Sequence, residues 1–248
     1  MCLVLTLPQP ALAQPATPWT ADLSTDRADV SNSGVGSTWA TTHVQAMWSR
    51  PDTGGWFAAV DLATRGDLHD ATISTRGYRR MGGDWTFAAG GGVTPHAEFL
   101  YRAAADAELS RRIFGTVVAS GAYRFLTFQT ADIHQPQAAL TWYHRRGEVE
   151  TRGYFTRNLT ADRTTSALLA RASFAVSSRV VVNGGAAFGD RIFDISSLPS
   201  ATGQAHQIFG TLRFRVSRSD WLEAGLSEAR EEPSFTYRSL IVAYRRAF

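Results

Sequence analysis

Between Ile208 and Ser217 the chain reads Ile208-Phe209-Gly210-Thr211-Leu212-Arg213-Phe214-Arg215-Val216-Ser217. Ile208, Gly210, Leu212, Phe214 and Val216 fall on one set of alternate positions, and Thr211, Arg213, Arg215 and Ser217 on the other. Successive strand side chains point to opposite faces, so the stretch reads as a strand with one apolar and one wet face. The pattern recurs. Leu168, Ala170, Ala172, Phe174 and Val176 alternate against Arg171, Ser173 and Ser177. Val117, Ala119, Gly121, Tyr123 and Phe125 alternate against Thr116, Ser120 and Arg124. Trp56, Ala58, Val60 and Leu62 leave Asp61 on the other face, and Leu240, Val242, Tyr244 and Phe248 share a face at the end of the chain.

A soluble sandwich buries the apolar face, whereas an outer-membrane barrel turns it to lipid and keeps a polar lumen. Three features favour the barrel. The wet face is rich in charge: Asp61, Arg76, Arg102, Asp106, Glu108, Arg124, Glu150, Arg152, Arg171, Arg213 and Arg215. Trp39, Trp48, Trp56, Trp85, Trp142 and Trp221 stand near strand ends, where membrane girdles form. The chain ends in a strand closed by Phe248.

Composition agrees. The 248 residues are 44% hydrophobic and 19% charged, with a mean hydropathy of −0.16. Beyond the N-terminus nothing approaches the roughly 18 apolar residues of a spanning helix. An aromatic share of 11% and a net charge of +3 argue against disorder. All 25 basic residues are Arg. The Leu3–Leu7 apolar run and Ala11-Leu12-Ala13 read as an h-region and a cleavage site, so residues 1–13 are expected to be a signal peptide, shortened at its basic start, and 14–248 the barrel. Cleavage there removes Cys2, the one thiol, and leaves a chain that cannot depend on disulfides.

Strands are expected near 18–30, 37–49, 55–65, 69–80, 84–92, 98–110, 114–128, 135–146, 148–158, 166–177, 180–190, 206–217, 221–230 and 235–248. About fourteen is an even number, as single-chain bacterial barrels require, with twelve as the alternative. The fold class is therefore all-β, a transmembrane antiparallel up-and-down barrel. Short connections fall near Pro51–Gly54, Met81–Gly83, Arg146-Gly147, Ser178-Arg179 and Arg218–Asp220. Longer ones fall near Ser31–Gly36, Gln129–His134, Asn158–Thr165, Gly189–Ala205 and Glu231–Ser234. Short turns face the periplasm, so both termini are expected there. The segment around Ile195–Pro199, in the longest loop, is a natural place for specificity or gating. His96–Ile113 is Ala-rich and could form an amphipathic helix, but Tyr101, Ala103, Ala105, Ala107 and Leu109 alternate against Arg102, Asp106 and Glu108, which supports a strand.

Phe99–Arg102, Ala107-Glu108-Leu109 and Gly121-Ala122-Tyr123-Arg124-Phe125-Leu126-Thr127-Phe128 resemble the YaiO-like outer-membrane β-barrel family. In that family a strand with a Glu precedes a G-Y-R-x-x-x-F strand. Trp142-Tyr143, Gly153-Tyr154-Phe155 and the closing strand Tyr237–Phe248 extend the resemblance to about residues 18–248. It implies an outer-membrane location in a Gram-negative envelope, no catalytic residues, and for some members a link to surface polysaccharide. Leu240, Val242, Tyr244 and Phe248 fit a barrel-assembly signal, whereas Arg246 takes a place that usually holds an aromatic. Arg246 is expected to snorkel at the interface.

Other chemistry is sparse. His43, His69, His96, His134, His144 and His206 show no metal-ligand spacing, and neither a metal nor a cofactor is expected. Asp67-Leu68-His69-Asp70 resembles the acidic and His groups of an outer-membrane protease, but reads better as a solvated loop. No H-x-S-N pattern marks a phospholipase, so the chain is not expected to be an enzyme. Gly82-Gly83 and Gly90-Gly91-Gly92 lack the context of a phosphate loop and are expected to serve barrel curvature. The Arg residues are spread over many strands, which argues against nucleic acid despite a pI near 9.3. Arg76, Arg102, Arg124, Arg152, Arg171, Arg213 and Arg215 read as a lumen charge network with Asp61, Asp106 and Glu108. They also offer a ladder for anions or acidic sugars. The expected function is a passive, porin-like pore or export conduit for polysaccharide or anionic solutes. A closed surface barrel that binds lipopolysaccharide or polysaccharide through its outer loops is the alternative, with an outer-membrane hydrolase third. Expected partners are outer-membrane lipid, lipopolysaccharide and the barrel-assembly machinery.

Overall fold

The computed structural model describes residues 18–32, 34–50, 52–190, 204–232 and 234–248. The expected signal peptide and the Ile195–Pro199 segment lie outside the described residues. Fourteen strands follow in order: β1 (Trp19–Asn32), β2 (Val35–Arg50), β3 (Gly54–Arg65), β4 (Leu68–Met81), β5 (Trp85–Val93), β6 (Ala103–Phe114), β7 (Val117–Thr127), β8 (Asp132–His144), β9 (Gly147–Asn158), β10 (Arg163–Ala175), β11 (Val180–Gly189), β12 (Ala205–Arg215), β13 (Asp220–Glu231) and β14 (Phe235–Ala247). Each pairs antiparallel with its neighbours, and β1 closes on β14, with Thr20 opposite Ala247 and Asn32 opposite Phe235. The twelve-strand alternative is thereby excluded, and the Ala-rich stretch is a strand and not a helix.

Period-2 alternation sets the faces. Leu168, Phe174, Ile208, Leu212, Phe214, Leu226, Leu240 and Val242 point outward and are exposed. Asp22, Gln45, Glu150, Arg171, Ser173, Asn183 and Ser227 are turned inward and buried. Such an inversion, apolar out and polar in, is the reverse of a water-soluble core.

The first and last strands begin and end at the same end of the barrel, as the pairing of Thr20 with Ala247 requires. At that end the outward indoles gather. Trp19, Trp48 and Trp56 stand in register across β1, β2 and β3, and the Trp19 and Trp56 rings meet edge to face at 5.6 Å. Trp85 and Trp142 lie at the same end on β5 and β8. Two of the expected girdle residues face the lumen instead. Trp39 packs with Phe235 and Tyr237 at ring distances of 6.1 Å, and Trp221 stands beside Arg215 and Arg245. Both are in phase with inward neighbours, a parity that nearness to a strand end does not reveal.

Several expected boundaries shift by a few residues, and two of the shifts change a connection. β1 runs to Asn32 and β2 resumes at Val35, so the long connection expected at 31–36 is absent. The strand expected from residue 98 begins at Ala103, because 94–102 folds inward. Phe99, Leu100 and Tyr101 are buried there, with Phe99 and Leu100 against Ala63, and Tyr101 with Leu126, Phe128 and Ile133. At the opposite end of the wall, Leu240, Val242 and Tyr244 line the outward face of β14. Arg246 stands over the Phe248 ring at 5.6 Å and 3.9 Å from Asp220, which also accepts the Tyr244 hydroxyl at 2.6 Å. The cation is thus neutralised at the rim.

A closed barrel keeps its shape in detergent until it is heated. Refolded protein is therefore expected to migrate differently on SDS gels before and after boiling, and identical bands would contradict the closed sheet.

Candidate functional site

The inner wall carries two sets of charges. In the larger, Arg76 on β4 reaches β6, with its Nε 3.2 Å from Asp106 and its Nη2 3.1 Å from Glu108. β5 lies between, and Gly90 opens the path: a Cβ there would stand 2.7 Å from the Arg76 Cβ. The triple glycine expected to serve curvature thus also clears a side-chain crossing. Arg152 on β9 lies 3.6 Å from Glu108 and so spans β7 and β8. Ala122 and Ala139 are the small inward residues on that line. Arg152 also donates to Glu150 at 3.1 Å and to Gln137 at 3.0 Å. Glu150 accepts Arg171 from β10 at 2.9 Å and the Thr141 hydroxyl at 3.3 Å.

Opposite-sign charges this well buried must be paired, because desolvation of a lone ion costs several kcal/mol. Arg76, Arg152 and Arg171 balance Asp106, Glu108 and Glu150 one for one. The second set is made of local pairs. Arg213 on β12 donates to Glu223 on β13 at 2.6 Å, His43 on β2 meets Asp61 on β3 at 2.6 Å, and Arg245 on β14 donates to Asp22 on β1.

The expected site residues can now be placed. Asp61, Arg76, Asp106, Glu108, Arg124, Arg152 and Arg171 line one cavity of about 470 Å³ against β2 to β10. Arg213 faces inward but is held by Glu223. Arg215 stacks over Trp221 at 5.2 Å and donates to the Arg218 carbonyl at 2.9 Å, near the end that holds the termini. Arg102 is misplaced: it precedes β6, is exposed, and does not line the cavity. The alternation that put it inward assumed a strand where the chain instead leaves the sheet.

Sequence reasoning missed the device that makes it leave. Asp70 on β4, expected in a solvated loop, is 4% exposed. Its carboxylate accepts the backbone N–H groups of Glu98 at 2.7 Å, Phe99 at 3.0 Å and Leu100 at 2.6 Å. Glu98 in turn accepts the His69 N–H at 2.8 Å. This staple holds 94–102 inside the end away from the termini. There Arg65 lies between the rings of Trp39 and Phe99, 4.3 and 4.4 Å from their centroids. An Asp in an acidic loop gives no hint that its partners are amides some thirty residues on. The one signal was the run Phe99-Leu100-Tyr101, too apolar for an exposed connection. No group of three or more His, Cys, Asp or Glu fit to hold a metal ion occurs among the described residues.

A closed antiparallel barrel, apolar outside and charged inside, defines an integral membrane protein of the outer-membrane type. Residues 20–187 match the family described as the YaiO membrane beta barrel domain, and the chain belongs to it. The match ends before the closing strand, so the Tyr237–Phe248 part of the resemblance is not covered. Solved structures share the fold at low identity. One described as the CymD monoaromatic hydrocarbon channel aligns with a TM-score of 0.67 at 9% identity, over 96% of this chain and 90% of that one. A bacterial polysaccharide outer membrane secretin gives 0.59 at 12% identity, over 94% and 100%. The anion-selective porin from Comamonas acidovorans gives 0.51 at 9% identity, over 95% and 100%. None of the curated proteins compared matches the chain.

Glu150 joins two Arg residues in a place with little water. Glu150→Gln is expected to destabilise the barrel by about 3 kcal/mol, as loss of one partner of a buried pair does. Asp162→Asn, which breaks the exposed pair with Arg157, should cost less than about 1 kcal/mol. Urea unfolding midpoints of the two variants in micelles measure the difference.

Proposed function

We propose that this protein is a passive outer-membrane channel for small polar solutes, with both termini periplasmic and the 94–102 segment narrowing its outer end. The observation that carries the reading is the polar, charge-lined cavity of about 470 Å³ inside a closed fourteen-strand wall. A wall of fourteen strands encloses more space than its inward side chains fill, so water occupies the remainder. Most of the charges are paired along the wall, which suits passage of hydrated solutes better than tight capture of one multivalent ion. Named neighbours that conduct or export share only the fold at these identities, and they support the reading without assigning a solute. On this reading the apolar outer wall meets lipid and lipopolysaccharide, and the β14 face presents Leu240, Val242, Tyr244 and Phe248 to the assembly machinery.

One observation favours a second reading, a closed barrel acting through its outer surface. The Asp70 staple and the Trp39–Arg65–Phe99 stack fill the end away from the termini. Planar-bilayer recordings on refolded protein separate the two. Discrete conductance steps support the channel, and their absence at molar salt supports the closed barrel.

Asp70→Ala tests the role of the segment. Hydrogen bonds to a charged acceptor contribute about 1.5–3 kcal/mol each, and 1.4 kcal/mol is a tenfold change in an equilibrium. Loss of the staple is therefore expected to raise the open-to-narrowed ratio by about tenfold or more, seen as larger or longer conductance steps. Unchanged recordings would show that the segment does not limit the path.

A further inference from the structure

Most lumen charges are paired, but Glu148 is buried with one carboxylate oxygen unbonded, and one cation lining the cavity stands without a carboxylate. Arg124 on β7 stands directly across from Asp106 on β6, the usual place for a cross-strand ion pair. Asp106 has turned the other way, to Arg76 at 3.2 Å. The neighbour on the other side, Gln135 on β8, donates its amide to Thr156 at 3.0 Å, and its carbonyl oxygen accepts the Gln137 amide at 3.1 Å. Among the described residues Arg124 therefore forms no ion pair and donates no side-chain hydrogen bond, yet it lines the cavity.

Two phenols share the cavity with this cation. Tyr101 comes from the inward segment and Tyr154 from β9, and both line the same cavity. The Tyr101 hydroxyl lies over Gly92, where a Cβ would stand 3.1 Å away. Neither phenol oxygen has a hydrogen-bond partner among the described residues. A planar five-donor fork and two aromatic rings with unfilled hydroxyls thus line one cavity, whose volume lies within the roughly 300–1,000 Å³ range of small-molecule sites.

We infer that Arg124, Tyr101 and Tyr154 form a subsite for a sugar bearing one carboxylate, that is, a uronic acid unit. The inference rests on the reading of a water-filled lumen and adds the class of solute it selects. The guanidinium receives the carboxylate in two parallel hydrogen bonds. The phenol hydroxyls exchange hydrogen bonds with ring hydroxyls, and the aromatic faces pack on the sugar ring. The flanking carboxylates Asp106, Glu108 and Glu150 set the charge limit. Each is already paired, and together they repel a dianion such as a phosphate monoester while one guanidinium neutralises a monoanion.

The test is calorimetric titration of the refolded barrel in neutral detergent micelles with galacturonate, galactose and acetate. No transport is needed, so a failed conductance experiment and a failed titration are separate results. Galacturonate is expected to bind saturably, at least tenfold more tightly than galactose or acetate. Arg124→Gln should weaken it tenfold or more, while Arg157→Gln, the same charge change on the outward face, should leave it within about twofold. Tyr154→Phe should weaken galacturonate without creating acetate binding. Heat-modifiable migration of each variant confirms that the barrel has formed. Acetate binding as tightly as galacturonate would overturn the sugar assignment and leave a simple anion site. Equal binding by Arg124→Gln and the unaltered protein, or no binding to either, would overturn the subsite.

Discussion

Closure of β1 on β14 is the constraint on which everything else depends. In hydrocarbon no water is available to an unpaired N–H or C=O, and each one left open costs several kcal/mol. The pairing from Thr20–Ala247 to Asn32–Phe235 removes the last free edges of the sheet, between residues more than two hundred positions apart. Once the ring is closed, the alternation of each strand has a fixed meaning. One set of side chains must satisfy lipid, and the other must satisfy a narrow wet interior.

The interior then solves its own electrostatic problem. Charges on the inward face are close together and poorly solvated, so they take partners wherever the wall allows. Some partners are adjacent, as Arg213 and Glu223 are. Others lie several strands away, and the sequence supplies small residues along the line of approach: Gly90 beneath Arg76, and Ala122 and Ala139 beneath the span from Glu108 to Arg152. The preference of Asp106 for a more distant Arg leaves its immediate neighbour Arg124 facing open space.

The barrel was legible in the sequence because its signal repeats: each strand states the same alternation, and fourteen repetitions outweigh local ambiguity. The faces of Ile208–Val216 and Leu168–Val176 followed from parity alone. The failures have a common cause. Trp39, Trp221 and Asp70 were assigned from proximity to a strand end or loop, and Arg102 from an alternation that runs past the end of its strand, whereas their positions depend on where the chain leaves the sheet and on contacts with strands distant in sequence. Side-chain pairing is less legible still. Parity places Arg76, Arg124 and Arg152 on one face, but which carboxylate each one takes follows from register and reach around a curved wall. That the cavity is walled partly by Leu100 and Tyr101, from a stretch that alternates like a strand, is visible only when Asp70 and its three amides are seen together.

The gathering of outward indoles at one end has a further consequence. An even number of strands returns the chain to the end from which it started, so whatever is joined directly before the first strand or after the last emerges beside Trp19, Trp48 and Trp56. Two passengers fused one at each end would meet on the same side of the membrane, a few strand widths apart. Among the described residues the opposite end carries hairpin connections and neither terminal strand end. A cargo carried there must be spliced into a loop, with both of its own ends close together.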